Sequence, residues 1–482
     1  MFRKSNSCRS AFNRRRSVGL HYVSKFTQVN GYIGCWMVGV GLTGLLSVGL
    51  QHISLAQEPV SFRSGIAPIL LEHCLACHGP KNAEGGYRVD NFTELLKPGD
   101  SGETPVSGNA GESSELLRRL NCDASERMPA DAPPLAEEQI ERIKQWIAAG
   151  GLFDGEAAEQ TLTLLIPPAT YAAPPESYPR GVPITACVFS PDGTQVVVGG
   201  YHELTLWNRA DGKLVRRIGN MGERVLAIEF SHDGQTVAVA CGQPGRSGEV
   251  RLIAYASGQV TAVVARSLDV PFDVAFRPGS DELAIASADS TIRIVNAKTL
   301  DEVRTIAAHA DWVSDIAWSD DGGRLASASR DKTAKVYDGA SGELLVSYAR
   351  HAAAVRGVAF VPDALASGGS EVVSVGADNK LHRWLVADAK KGAEISLGSD
   401  SGKVTRVEDQ LYIPCTDHRL LRVDLNNNSL AQQYAGHTDW VLSAAVRREE
   451  SQVLLLGSAF DGQMRIWDNA SGDVLQHWLA KP

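Results

Sequence analysis

In the later part of the chain, seven short segments share one alternation of apolar and polar positions: 204–208, 250–254, 292–296, 334–338, 381–384, 421–424 and 464–468. Aligned on Trp207, Ile253, Val295, Tyr337, Trp384, Val423 and Trp467, they follow one another at intervals of 46, 42, 42, 47, 39 and 44 residues. An apolar run such as 196–198 precedes each, and a turn such as Ala340-Ser341-Gly342-Glu343 follows most of them. Alternation at period two marks strands with one buried face, so residues 184–482 read as repetitive and all-β. Residues 58–153 carry a helical period instead. Phe62, Ile66 and Leu70 stand four apart, and 113–120 is a short capped pattern. Ile140, Ile143, Trp146 and Ile147 share one face of a third helix, which Gly150-Gly151 ends. Between the two regions, 154–183 contains Pro167, Pro168, Pro174, Pro175, Pro179 and Pro183, which predicts an extended, semi-rigid spacer. Within it, 161–166 is apolar enough to dock as a strand.

A repeat of 40–45 residues built from short strands is the signature of WD-repeat propeller blades. Seven copies predict seven blades, and closing them into a ring removes free sheet edges. The fold expected is therefore multidomain: a small all-α domain followed by an all-β seven-bladed propeller. His309, His351 and His437 fall at the Gly-His position of such repeats. In these blades a His, a Ser or Thr, a turn Asp and the strand Trp form a hydrogen-bonded set. His437, Ser458, Asp461 and Trp467 match it, His309, Ser327 and Asp331 match it without the Trp, and Asp289, Asp378 and Asp417 share the turn position. His202, His232, His382, His418 and His477 share no spacing and read as surface residues. Cys187, Cys241 and Cys415 sit in apolar strand patterns, as small buried thiols do. No nucleophile–base pair, phosphate loop or metal-binding cluster is recognisable in the propeller, so no enzymatic role is expected of it.

The first thirty residues hold seven basic side chains and no acid, and an apolar run at 33–50 is followed by Ser54-Leu55-Ala56. That layout is a secretory signal with a small-x-small cleavage site, or else an uncleaved anchor through 33–50. Either predicts export to the periplasm or cell envelope. Without those seven residues, 40 Lys and Arg face 56 Asp and Glu, a net charge near −16. Such a surface excludes nucleic acid and anionic lipid as natural partners.

Within the helical region, Cys74-Leu75-Ala76-Cys77-His78 is a C-x-x-C-H motif, the attachment signature of a c-type haem. Two thiols at this spacing can add across the two vinyl groups of one porphyrin, and the following imidazole can ligate iron from below. An electron-transfer haem needs a sixth ligand, for which Met128, on a Pro-rich loop fifty residues further on, is the candidate. His73 is tied to the proximal side by its neighbour Cys74. A zinc site would need further ligands that Cys122 alone does not supply. A thioredoxin-like pair would need a βαβ unit, which this region lacks.

Residues 61–151 resemble the planctomycete-type cytochrome c domain. The resemblance rests on Ile66-Ala67-Pro68-Ile69-Leu70, His73-Cys74-Leu75-Ala76-Cys77-His78-Gly79 and Gly85-Gly86-Tyr87-Arg88-Val89-Asp90. It continues through Gly108-Asn109, Ser113-Ser114-Glu115-Leu116, Arg127-Met128-Pro129, and Leu135 to Trp146-Ile147. It implies one covalent haem c, with Cys74 and Cys77 as thioether donors, His78 as proximal iron ligand and Met128 as distal ligand. The expected function is an exported electron-transfer cytochrome whose propeller docks a redox partner protein or a peptide. Two other readings stay open: a scaffold whose haem is structural or senses redox state or a gas, and an oxidoreductase with a substrate pocket in the propeller channel.

Overall fold

The computed structural model describes residues 59–482, apart from 76, 81, 108–113, 124–125, 131–132 and 367. The expected leader or anchor at 1–57, with its apolar run at 33–50, lies outside the described residues, as do Cys8, Cys35 and Gly108-Asn109 of the resemblance. No described helix is long and apolar enough to cross a membrane.

Phe62, Ile66 and Leu70 lie on one continuous helical path, a π-turn at Phe62–Ile66 running into α1 (Ala67–His73), and all three are fully buried. Pro68 falls in the first turn, where its missing N–H costs nothing. A short α2 (Phe92–Leu95) starts where Asn91 Oδ1 accepts the Glu94 amide at 2.9 Å. The patterns at 113–120 and after Pro134 become α3 (Glu115–Asn121) and α4 (Glu137–Ala148). Ile143, Trp146 and Ile147 are the buried face of α4, while Ile140 is half-buried. Gly150 and Gly151 end α4 with φ of 101° and 61°, which only glycine adopts freely. At the centre, the ring of Phe62 stands 4.9 Å from Phe92 and 5.4 Å from Trp146.

The stretch expected to dock as a strand is instead a helical turn, α5 (Leu162–Leu165). Leu162 and Leu165, one turn apart, both insert into the helical core. That pairing is available to a helix and not to a strand, whose third residue would sit on the opposite face. On its other side α5 lies against Gln259–Ser267, the outermost strand of the second blade.

The β region is seven four-stranded antiparallel sheets, each a contiguous meander in chain order. The blades span 187–218, 224–267, 271–307, 313–348, 355–396, 405–434 and 441–479. The seven repeated segments are the third strands, from Leu204–Asn208 in blade 1 to Gln463–Asp468 in blade 7. Among the described residues no strand is exchanged to close the ring. Instead the first strand of blade 1 lies beside that of blade 7, and Ile184 N donates to Ala459 O at 3.3 Å. Around the inner wall, carboxylates reach one blade forward: Asp273 Oδ2 accepts from Ile316 N and Asp315 Oδ2 from Val358 N.

The proline-rich segment is extended but not a free spacer. Residues 169–178 are strapped across blades 1 and 2. Arg251 Nη2 donates to Ala169 O at 2.6 Å, Tyr171 N to Asn220 Oδ1 at 2.9 Å, and Arg217 to the carbonyls of Pro175 and Glu176. Beneath the strap, Arg217 and the Tyr178 hydroxyl share the buried carboxylate of Glu203, and Arg251 pairs with buried Glu249 at 2.6 Å.

The repeat histidines divide into three cases. His309 bonds Asp331 at 2.9 Å and Ser327 at 2.7 Å, as its pattern predicted. His351 completes a full set with Asp378, Ser374 and Trp384. His437, expected to form the same set, does not: neither ring nitrogen has a hydrogen-bond partner. Ser458 is turned to Ile184 O at the ring closure, Trp467 donates to Ala435 O, and Asp461 is taken by Thr438 and Gln463. Among the histidines expected at the surface, His232, His418 and His477 are exposed and His202 is half-buried. His382 departs outright, being 2 % exposed inside blade 5. Cys187, Cys241 and Cys415 are buried thiols as expected.

Candidate haem-binding cavity

α1 ends where the motif begins. Cys74 N and Leu75 N both return to Leu70 O, and the chain curls once more so that Cys77 N and His78 N reach Cys74 O at 3.2 and 2.9 Å. This compact turn sets Cys74 on the core side and Cys77 at the surface. Gly79 is required at its exit, because a Cβ there would stand 2.6 Å from Leu75 O. The strand-like segment after it holds the imidazole: Val89 N donates to His78 O at 2.8 Å. His78 Nδ1 lies 3.3 Å from Tyr87 O, with the two rings 5.6 Å apart. The Tyr87 hydroxyl is anchored in turn on Leu95 O at 3.0 Å.

Beside the motif opens a cavity of about 610 Å³, within the range of small-molecule and cofactor sites. Cys74, Cys77, His78 and Met128 all line it. The four residues singled out by sequence therefore share one cavity, although Met128 comes from a loop fifty positions away. Its backbone is held there by Met128 N donating to Arg119 O of α3 at 2.8 Å. Val89, Leu116 and Leu120 supply apolar wall, and the rim is charged. Arg119 at that rim is engaged by Glu115, whose carboxyl is held down to about 2 by its bonds from Arg118 and then Arg119. His73 also reaches the cavity wall, but its Nε2 lies 3.1 Å from Gln139 Nε2.

The surroundings of the two cysteines favour the protonated thiol. Burial, and then the neighbouring charge of Cys77, push the Cys74 thiol up to about 12, and the charge of Glu84 raises Cys77. An activated redox pair has the opposite shift. Sequence reasoning missed Tyr87 as the group that orients His78. The signal was present as a tyrosine nine residues on, but nothing local says that the chain turns back there.

Two soft sulfur donors, an imidazole and a thioether around an apolar-walled cavity are the donor set that haem iron and porphyrin require. The fold and this site thus define a two-module protein: a small helical module with a cofactor-sized cavity, followed by a seven-bladed propeller. Family models match both modules, planctomycete cytochrome C over 74–131 and the WD domain, G-beta repeat, over 300–338. The chain is accordingly a fusion of a planctomycete cytochrome C segment with a WD-repeat propeller. The first match suggests a haem cofactor and the second a platform for protein interaction.

Among solved structures, a chain of the mitotic checkpoint complex aligns at 19% identity. The alignment covers 62% of this chain and 96% of that one, with a TM-score of 0.53. The computationally designed Ika8 protein aligns at 21% identity over 63% of this chain and 88% of its own, with a TM-score of 0.49. No curated protein matches significantly.

Proposed function

We propose that this protein is an exported c-type cytochrome that carries one covalent haem, passes single electrons, and docks a protein partner on its propeller. The observation that carries this reading is the convergence of Cys74, Cys77, His78 and Met128 on one apolar-walled cavity. A bound haem supplies a reversible one-electron centre. The chain's own part is to hold it. Cys74 and Cys77 would hold the porphyrin through two thioether bonds, each formed by adding S–H across a vinyl group. With its proton on Nδ1, facing the Tyr87 carbonyl at 3.3 Å, His78 would offer its Nε2 lone pair to the iron. Met128 offers a soft sulfur that favours the reduced metal and so raises the potential. The docked strap and the contact of α5 with blade 2 keep the helical module close to the propeller. We assign no catalysis to the chain.

The test is a pyridine haemochrome spectrum of the protein made with a cytochrome c maturation system, followed by a redox titration. A covalent c-type signal with one reversible one-electron midpoint is expected. An absence of covalent haem under those conditions would overturn the reading.

A further inference from the structure

His382 occupies a position that most blades give to a permanent cation. Counting two residues before the Trp-equivalent position, the third strands carry Thr205, Arg251, Arg293, Lys335, His382, Leu421 and Arg465. In blade 3 the purpose of that cation is plain, since Arg293 pairs with the turn carboxylate of Asp289. Blade 5 keeps the carboxylate, Asp378, whose side chain is 6 % exposed, but faces it with imidazoles. His382 stacks on His351 with ring centres 4.1 Å apart. Its Nδ1 meets the Tyr348 hydroxyl at 2.9 Å. Its Nε2 is buried, makes no hydrogen bond, and lies 3.3 Å from Glu394 Oε2. One ligand atom from each of His351, Asp378 and His382 falls within 4.8 Å of the others.

We infer that His351, Asp378 and His382 form a buried site for a zinc-class divalent cation, which takes the place of the guanidinium that blades 2, 3 and 7 carry at this position. Imidazole nitrogen with one carboxylate selects borderline metals over magnesium and calcium. Bonds of about 2.0–2.2 Å place the donors of a tetrahedral ion about 3.4 Å from one another, so the three donors, now within 4.8 Å, must draw together and one of the two stacked rings must turn for both lone pairs to meet the ion. The protons balance within the site. His351 Nδ1, now facing Asp378 at 2.9 Å, gives its proton up, and Nε2 takes one to donate to Ser374 Oγ, 2.8 Å away. Ser374 already accepts from Trp384 Nε1, so its oxygen can serve both donors. Glu394 stands beside the site, held by Lys380 and Lys391. This inference does not depend on haem.

The test is equilibrium dialysis of the haem-loaded full chain against Zn²⁺ after chelator treatment, with metal counted by mass spectrometry and thermal unfolding measured in parallel. One zinc per chain and a zinc-dependent rise in Tm are expected. His382→Arg installs the cation that blades 2, 3 and 7 already accommodate, so it should fold, yet bind zinc at least about a hundredfold more weakly and lose the Tm response. Cys74→Ser with Cys77→Ser should leave both intact. Absence of stoichiometric zinc, or binding that survives His382→Arg, overturns the proposal.

Discussion

At the scale of single residues, Met128 shows how a side chain with no local context acquires a position. Its backbone amide is held by Arg119 O, and its side chain lines the cavity that the cysteines and His78 share. Met128→Ala removes a soft donor from the distal side and should lower the midpoint potential by tens of millivolts or more. It should also abolish the weak sulfur-to-iron absorption band, and an unchanged spectrum would show that Met128 is only loop packing. The motif Cys74-x-x-Cys77-His78 was legible at once because its meaning lies in spacing alone. Tyr87 was not, because its role depends on the turn at Gly79 that brings its carbonyl back to His78 Nδ1.

At the scale of elements, the blades show how far a repeat constrains its members. The third strands were readable because every blade buries the apolar positions of the repeat, although in blades 1, 2 and 5 the strand is buried on both faces. The polar sets were not uniform. His351 has its full complement of partners, whereas His437, with the same sequence pattern, loses them because blade 7 spends Ser458 on the ring closure. Burial nonetheless disfavours the charged form of these rings. Burial lowers His382 and His437 to about 4, helped for His382 by the stacked His351 ring, which cannot share a charge with it, and for His437 by the Arg465 cation; burial also lowers His309 and His351. A base whose folded pKa is depressed stabilises above its unfolded value near 6.5, and that stability is lost as pH falls towards 4. The unfolding free energy measured by urea titration, and with it the midpoint, should therefore drop between pH 7 and pH 5, by about 2 kcal/mol at most for each of His382 and His437. His382→Arg and His437→Leu should each flatten the slope. If the midpoint does not move over that range, the histidines are not held neutral in the fold.

At the scale of the whole molecule, the proline-rich strap joins the modules. Its proline content correctly implied extension, but composition cannot say whether an extended segment is free or seated. Seating is decided by Arg217 and Arg251, two outward-reaching cations from separate blades that find backbone carbonyls on the strap. Arg251 is fully buried and also neutralises Glu249. Arg251→Met should therefore cost about 3–5 kcal/mol by leaving a buried carboxylate unpaired. It should also speed limited proteolysis within 167–183. Loss of stability without faster cleavage would mean that the strap is held elsewhere.

The sequence by itself determined what depends on spacing: the seven blades, the helical stripes of Phe62, Ile66, Leu70 and α4, and the cysteine–histidine turn. These are local because periodicity of burial and motif geometry are carried by near neighbours in the chain. Only the tertiary structure decided that 161–166 is a helical turn in the core, that His437 is unpartnered, that His382 is buried against His351 and that the strap is docked. Each of those turns on what a distant segment presents: a second hydrophobic face, a ring-closing carbonyl, a stacked imidazole, a reaching guanidinium. Distance along the chain hides such partners, and packing alone reveals them.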